Sequence, residues 1–221
     1  AEAAKVALRC FRAEPRLVPR ALLALSTIYM VATKNDSASS ILVREPKPSD
    51  EIGEDDMVPV GLRDITTTMD VYAKDRKIQG AGARALESAM EVPTVSIAAL
   101  VRDGLLRALP LAHQRCPQSR SVALSLCRVM GKVMLRAPEE LVPEVGISAL
   151  SAGASLPRDA EVVVAALEAV YVLAPKLRNL WATTSNVGDR LTLVASDLVR
   201  LGEARHRDAH CVGMLLVILT C

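Results

Sequence analysis

The chain is predicted to be all-α, a right-handed α-solenoid built from a repeat of about 42 residues. Three observations carry this. Hydrophobic residues make up 51% of the 221 positions, but they are mainly Ala, Leu and Val, with one Phe, one Trp and three Tyr. A core so poor in aromatics suits helices packed side by side, and few stretches alternate polar and apolar with period two. Finally, Gly61, Gly104, Gly146 and Gly188 lie 43, 42 and 42 residues apart.

The stretch "ALVRDGLLRALPLAH", Ala99 to His113, shows the unit at its clearest. A short helix ends at Asp103-Gly104 and a second begins at once. Glycine suits such a corner because it accepts positive φ and lets two helices approach. Pro59-Val60, Glu144-Val145 and Asn186-Val187 precede the other three glycines in the same way. After each Gly comes a second helix: "GLRDITTTMDVYAKD", "GLLRALPLAHQRC", "GISALSAGASLPRD" and "GDRLTLVASDLVRLG". A polar break follows, then a longer third helix: "RKIQGAGARALESAM", "RSVALSLCRVMGKVM", "AEVVVAALEAVYVLA" and "HRDAHCVGMLLVILT". Within these, Ile78, Val122 and Val162 are equivalent, as are Ala85, Val129 and Ala169, and Leu86, Met130 and Val170.

This organisation resembles the armadillo-repeat family, in which a short helix turns at a Gly into a second and a third lines a concave groove. HEAT repeats are the neighbouring alternative; they lack the short first helix and its Gly corner, so the spacing favours armadillo. On this reading residues 1–34 are a partial first repeat, with Ala24 of "PRLVPRALLALSTIYMVATK" standing where Ala85 stands. Residues 35–60 are a loop insertion rich in Ser, Pro and acid. Repeats then span 61–103, 104–145 and 146–187, and 188–221 is an incomplete last one.

Composition excludes several functions. A net charge of +2 is too near neutral for a dedicated nucleic-acid binder, and the aromatic platforms for single-strand stacking are missing. The five cysteines form no CxxC and their number is odd, which reads as buried reduced thiols in a cytosolic or nuclear chain. The longest apolar run, Val212 to Cys221, is about half a membrane span. No signal peptide is visible, and no membrane partner is expected.

No reactive constellation stands out. His206 and His210 share a helix face, as two metal ligands do. The segment "HRDAH" lacks the Glu of HExxH, and Asp208 fits the first turn of a repeat helix. His113 sits where a cation favours a helix C-terminus. "GAGAR" at Gly80 to Arg84 falls inside a helical pattern and reflects tight packing rather than phosphate binding. Trp181 falls in the first-helix region of the last repeat and reads as a cap or core residue. No catalytic residue, metal or cofactor is expected.

The resemblance locates a candidate surface. Armadillo importins bind basic peptides with a Trp and, four residues on, an Asn along successive third helices. The Trp positions here hold Leu23, Arg84, Arg128 and Glu168, and the Asn positions Thr27, Ser88, Lys132 and Val172. The importin array is therefore absent. Arg84, Ser88, Arg128, Lys132 and Glu168 are the candidate partner-binding residues, with the three cations making a modestly basic groove suited to an acidic peptide or helix. Residues 35–60 carry seven acids against Arg44 and Lys47, so this loop is expected to compete for the groove. The expected role is a non-catalytic cytoplasmic scaffold. The alternatives are a building block of a cytoskeletal or ciliary assembly, or the regulatory array of a larger enzyme such as a kinase. The apolar segment at the C-terminal end implies further repeats or a docked neighbour.

Overall fold

A computed structural model describes residues 6, 9–10, 13–34, 61–93, 95–97, 100, 104–136, 143–181, 196 and 200. Among the described residues the regular elements are all helical, with no strand. The chain divides into two compact units, Ala1–Cys116 and Pro117–Cys221.

The first unit holds α1 (Val18–Ala32), α2 (Leu62–Val71), α3 (Arg76–Met90) and α4 (Leu105–Arg115). Helix α1 buries Val18, Leu22, Leu25, Tyr29 and Ala32, a spacing of three and four that makes one continuous stripe. It packs mainly on α3. Each fully buried Leu in such a stripe contributes roughly 1.5–3 kcal/mol.

Helices α2 and α4 both start at a glycine. Gly61 has φ +92° and Gly104 φ +97°. Each carbonyl accepts the first helical bond, from Ile65 N–H at 2.9 Å and Ala108 N–H at 2.8 Å. The left-handed conformation turns the chain sharply into the helix, and a Cβ there costs about 1–2 kcal/mol.

Helix α3 starts at Asp75, whose carboxylate accepts from the Lys77 and Ile78 N–H groups at 2.9 and 3.1 Å. Gly82 brings α3 against α2. A Cβ there would meet Met69 Cγ at 2.5 Å and Sδ at 2.6 Å, and Met69 is itself buried. One turn away the buried Gln79 donates from Nε2 to the carbonyls of Met69 and Tyr72, at 2.5 and 2.9 Å. It thereby satisfies the Met69 carbonyl that the end of α2 leaves open and adds a second donor to Tyr72 O, which also accepts from Asp75 N–H at 3.0 Å.

The second unit packs α5 (Arg120–Arg136), α6 (Pro143–Ser155) and α7 (Ala160–Trp181) against one another. The equivalent residues Ile78, Val122 and Val162 are all fully buried, as are Leu86 and Met130. Helices α3, α5 and α7 follow Asp75, Ser119 and Asp159, 44 and 40 residues apart, and each opens with the ordinary first helical bond. Gln79 N–H donates to Asp75 O, Ala123 N–H to Ser119 O and Val163 N–H to Asp159 O, at 2.9, 3.0 and 3.0 Å.

The structure departs from the expected repeat at three places. Gly146 is no corner: α6 begins at Pro143 and runs through it. Proline suits the first turn of a helix, where its missing N–H costs nothing, so Pro143 sets the start. Helix α7 continues through Pro175 to Trp181 rather than stopping at Ala174. Leu173, Leu177, Leu180 and Trp181 keep the helical spacing, and Trp181 ends this helix instead of lying in a first helix of the next repeat. Ala24 is exposed, whereas Ala85, Val129 and Ala169 are buried. Helix α1 thus offers solvent a face that the equivalent positions of α3, α5 and α7 cover. Cys116 and Cys127 are buried free thiols as expected, but Cys10 is exposed. The loop 35–60, the Gly188 corner and the segment 201–221, with His206 and His210, lie outside the described residues.

Three glycines separate strain, crowding and empty space. A methyl at Gly104 meets nothing within 4 Å, at Gly82 it strikes Met69, and at Gly131 it sits 3.8 Å from Ala169 Cα. In urea unfolding, Gly104→Ala is expected to cost about 1–2 kcal/mol by backbone strain alone, and Gly82→Ala about 1–3 by overpacking. Gly131→Ala is expected to be neutral or to stabilise by up to about 1 kcal/mol through helix propensity.

Candidate functional site

Helices α5 and α7 run side by side in the same direction. Arg120, at the start of α5, donates to Asp159 at 2.6 Å and to Glu161, both at the start of α7. Farther along α5, Gly131 lies beside Ala169 of α7. Arg128 reaches back to Glu161 at 2.7 Å, so Glu161 joins two arginines. Asp159 also caps α7, accepting from Val162 N–H at 3.2 Å. Burial would raise its pKa, but the Val162 N–H and the Arg120 guanidinium outweigh burial and hold it below the usual carboxylate range.

Beyond this ladder the two helices leave a cavity of about 190 Å³. Cys127, Gly131, Ala165 and Ala169 form its floor, and Leu135 and Val172 its walls. Arg128, Lys132 and Glu168 stand around it. The volume lies below the roughly 300–1,000 Å³ of small-molecule sites and suits one inserted aliphatic side chain. Leu135 is 71% exposed, an unusual position for a leucine beside an apolar cavity. A second depression of about 530 Å³ lies among Gln118 and Ser155 to Asp159. Its polar groups are already engaged: Gln118 Nε2 donates to Ser155 O at 3.4 Å, Ser155 Oγ to Pro117 O at 3.0 Å, and Asp159 holds Arg120.

Three of the five residues singled out in the sequence, Arg128, Lys132 and Glu168, therefore meet at one cavity. Arg84 and Ser88 belong to the first unit. Arg84 is exposed, with Nε 3.5 Å from Gly80 O. Ser88 is only 8% exposed, and its hydroxyl is 2.8 Å from that of Ser26. It joins α1 to α3, which corrects its expected place on a binding surface. The groove is also not simply basic, because Glu161 neutralises Arg128 and α7 carries Glu168. The sequence reading missed the small floor residues. Ala165 and Ala169, one turn apart, are the signal that would have marked it.

The chemistry on view is that of packing. Burial pushes the Cys127 thiol up to about 12, and it donates to Ala149 O at 3.5 Å. A thiol so held is protonated and no nucleophile. Burial likewise raises the Cys116 pKa, against the nearby Arg76. His113 is buried in the last turn of α4, and "GAGAR" lies within α3. No group of three His, Cys, Asp or Glu able to hold a metal is found among the described residues. No helix among them is long and apolar enough to cross a membrane.

Asp159→Ala is expected to lose about 1 kcal/mol in urea unfolding at neutral pH, through the vacated cap. Because the folded-state pKa is depressed, the carboxylate's contribution is complete above its unfolded value near about 3.9 and fades as pH falls through the folded one. The gap between wild type and Asp159→Ala should therefore narrow below about pH 4. A gap that stays constant down to the acid limit would remove the ionised carboxylate from the account.

No protein-family model matches this chain, and no curated protein or solved structure matches it.

Proposed function

We propose that this chain is a non-catalytic protein-interaction array of armadillo-like repeats that takes a segment of a partner protein along its third helices, in the cytoplasm. The observation that carries the reading is the groove between α5 and α7, an apolar slot sized for one side chain and bordered by charge. Three regularities support the repeat. The left-handed glycine corners at Gly61 and Gly104 are 43 residues apart. Helices α3, α5 and α7 begin after Asp75, Ser119 and Asp159, which lie 44 and 40 residues apart. Helices α5 and α7 are parallel, as third helices of successive repeats are.

A second reading has its own observation. Helix α1 exposes Leu23, Met30 and Val31, the last two more than half, and contains no acidic residue. Contiguous exposed apolar surface marks association, so this face favours an assembly block.

Capture from lysate with three baits separates the two. The baits are wild type, Gly131→Leu to fill the groove, and Met30→Glu to charge the α1 face. Circular dichroism controls for folding. Partners lost by Gly131→Leu alone support the groove reading. Partners lost by Met30→Glu alone overturn it in favour of the assembly block.

A further inference from the structure

The two sides of the groove carry opposite charge. On α5 the charged residues along this face are Arg128, Lys132 and Arg136, all basic, with the exposed Leu135 beside them. On α7 the charged residues are Glu161 and Glu168, both acidic and exposed, with the half-buried Val172 at the cavity. The floor between them is Gly131, Ala165 and Ala169, and the cavity above it holds about 190 Å³. An acidic peptide would gain on the α5 side and be repelled on the α7 side. A basic peptide would meet the reverse.

We infer that the occupant of this groove is an amphipathic helix of a partner protein with one aliphatic anchor stripe, an acidic flank and a basic flank. The inference rests on the groove being the working surface and adds the chemistry of what fills it. The anchor side chain enters the cavity against Gly131 and Ala169. The acidic flank lies toward Lys132 and Arg136, and the basic flank toward Glu168. This is the arrangement of a third helix laid on a parallel pair, where an apolar seam is bordered by complementary charges. Which flank is acidic then sets the direction of the bound helix. Turning the ligand end for end exchanges its flanks, so the opposite charges fix orientation as well as partner choice. A cavity for one side chain beside an exposed Leu135 argues against a flat, purely electrostatic contact. The volume also argues against a small organic ligand.

The test uses the whole chain and three labelled synthetic helices of about 15–20 residues, long enough to be helical in part by themselves. All carry the same leucine stripe. One has a Glu flank and a Lys flank, one has Glu on both, and one has Lys on both. Binding is read by fluorescence anisotropy at low and high salt. The mixed-flank helix is expected to bind about three- to tenfold tighter than either same-charge helix at low salt, with the advantage shrinking as salt rises. Lys132→Glu combined with Arg136→Glu makes both sides acidic, since Arg128 is already paired with Glu161, and should shift the preference to the Lys-flanked helix. Gly131→Leu should abolish binding of all three.

Equal binding of the three helices, still abolished by Gly131→Leu, overturns the charge assignment and leaves the groove standing. Preference of wild type for a same-charge helix overturns it as well. Binding that survives Gly131→Leu overturns the inference together with the groove reading beneath it.

Discussion

Met69 lies on bare backbone where α3 passes it at Gly82, and the first unit is arranged around that contact. Mid-helix glycine costs about 1 kcal/mol relative to alanine, so its presence in α3 needs a return. The return is the closeness of α2 and α3. It buries Met69 completely and brings Gln79 within reach of the Met69 and Tyr72 carbonyls at the end of α2. Without Gln79 the Met69 carbonyl would lose its donor, at about 1–3 kcal/mol, whereas Tyr72 O also accepts from Asp75 N–H. Helix α3 also receives α1, with the Ser26 and Ser88 hydroxyls 2.8 Å apart. A larger residue at 82 would lift α2 away and break the polar contact and the apolar one together. This explains how a chain with so few aromatics has a core: small residues trade side-chain volume for helix proximity.

The second unit uses the same residue type for a different end. At Gly131 a methyl would fit in ordinary contact with Ala169, so close approach does not require glycine there. What its absence produces is depth. With Gly131, Ala165 and Ala169 at the floor, the parallel pair leaves a slot instead of a filled seam. The charges that border the slot are organised by the start of α7. Asp159 and Glu161 hold Arg120, and Glu161 holds Arg128. Such exposed pairs contribute little to stability one by one. Their effect is to set the register of α5 against α7 and to put basic residues on one side and acidic ones on the other.

Much of the fold was legible because its determinants are local. The span Arg76 to Met90 reads directly as a helix from its apolar periodicity after a polar break. Gly61 and Gly104 read as corners because few other residues tolerate their backbone angles. Gly146 had the right spacing but not the conformation, since Pro143 already starts that helix. Proline misled in the other direction at Pro175, where the apolar spacing of Leu173, Leu177 and Leu180 carries the helix onward. The site was legible only as positions. Arg128, Lys132 and Glu168 could be placed by counting within the repeat. That Arg128 is matched by Glu161 depends on the offset between two helices, and that Ser88 is buried depends on Ser26, a residue 62 positions away.

Helix α1 shows why array helices look too apolar when read alone. Its buried stripe of Val18, Leu22, Leu25 and Tyr29 would satisfy an ordinary surface helix. Yet Leu23, Met30 and Val31 project elsewhere, and the sequence from Val18 to Ala32 holds a single charge, Arg20. A helix apolar on two faces is built for two neighbours. Helix α7 illustrates the arrangement, with Ala169 against α5 and other buried residues against α6. In α1 the position equivalent to Ala169 is the exposed Ala24. The apolar surface on α1 therefore includes a position that is exposed there and whose counterparts Ala85 and Ala169 are buried in α3 and α7. In α1 the face is wide and aliphatic, suited to another helix of the same kind. Between α5 and α7 the small floor residues leave a cavity of about 190 Å³ bordered by Arg128, Lys132 and Glu168.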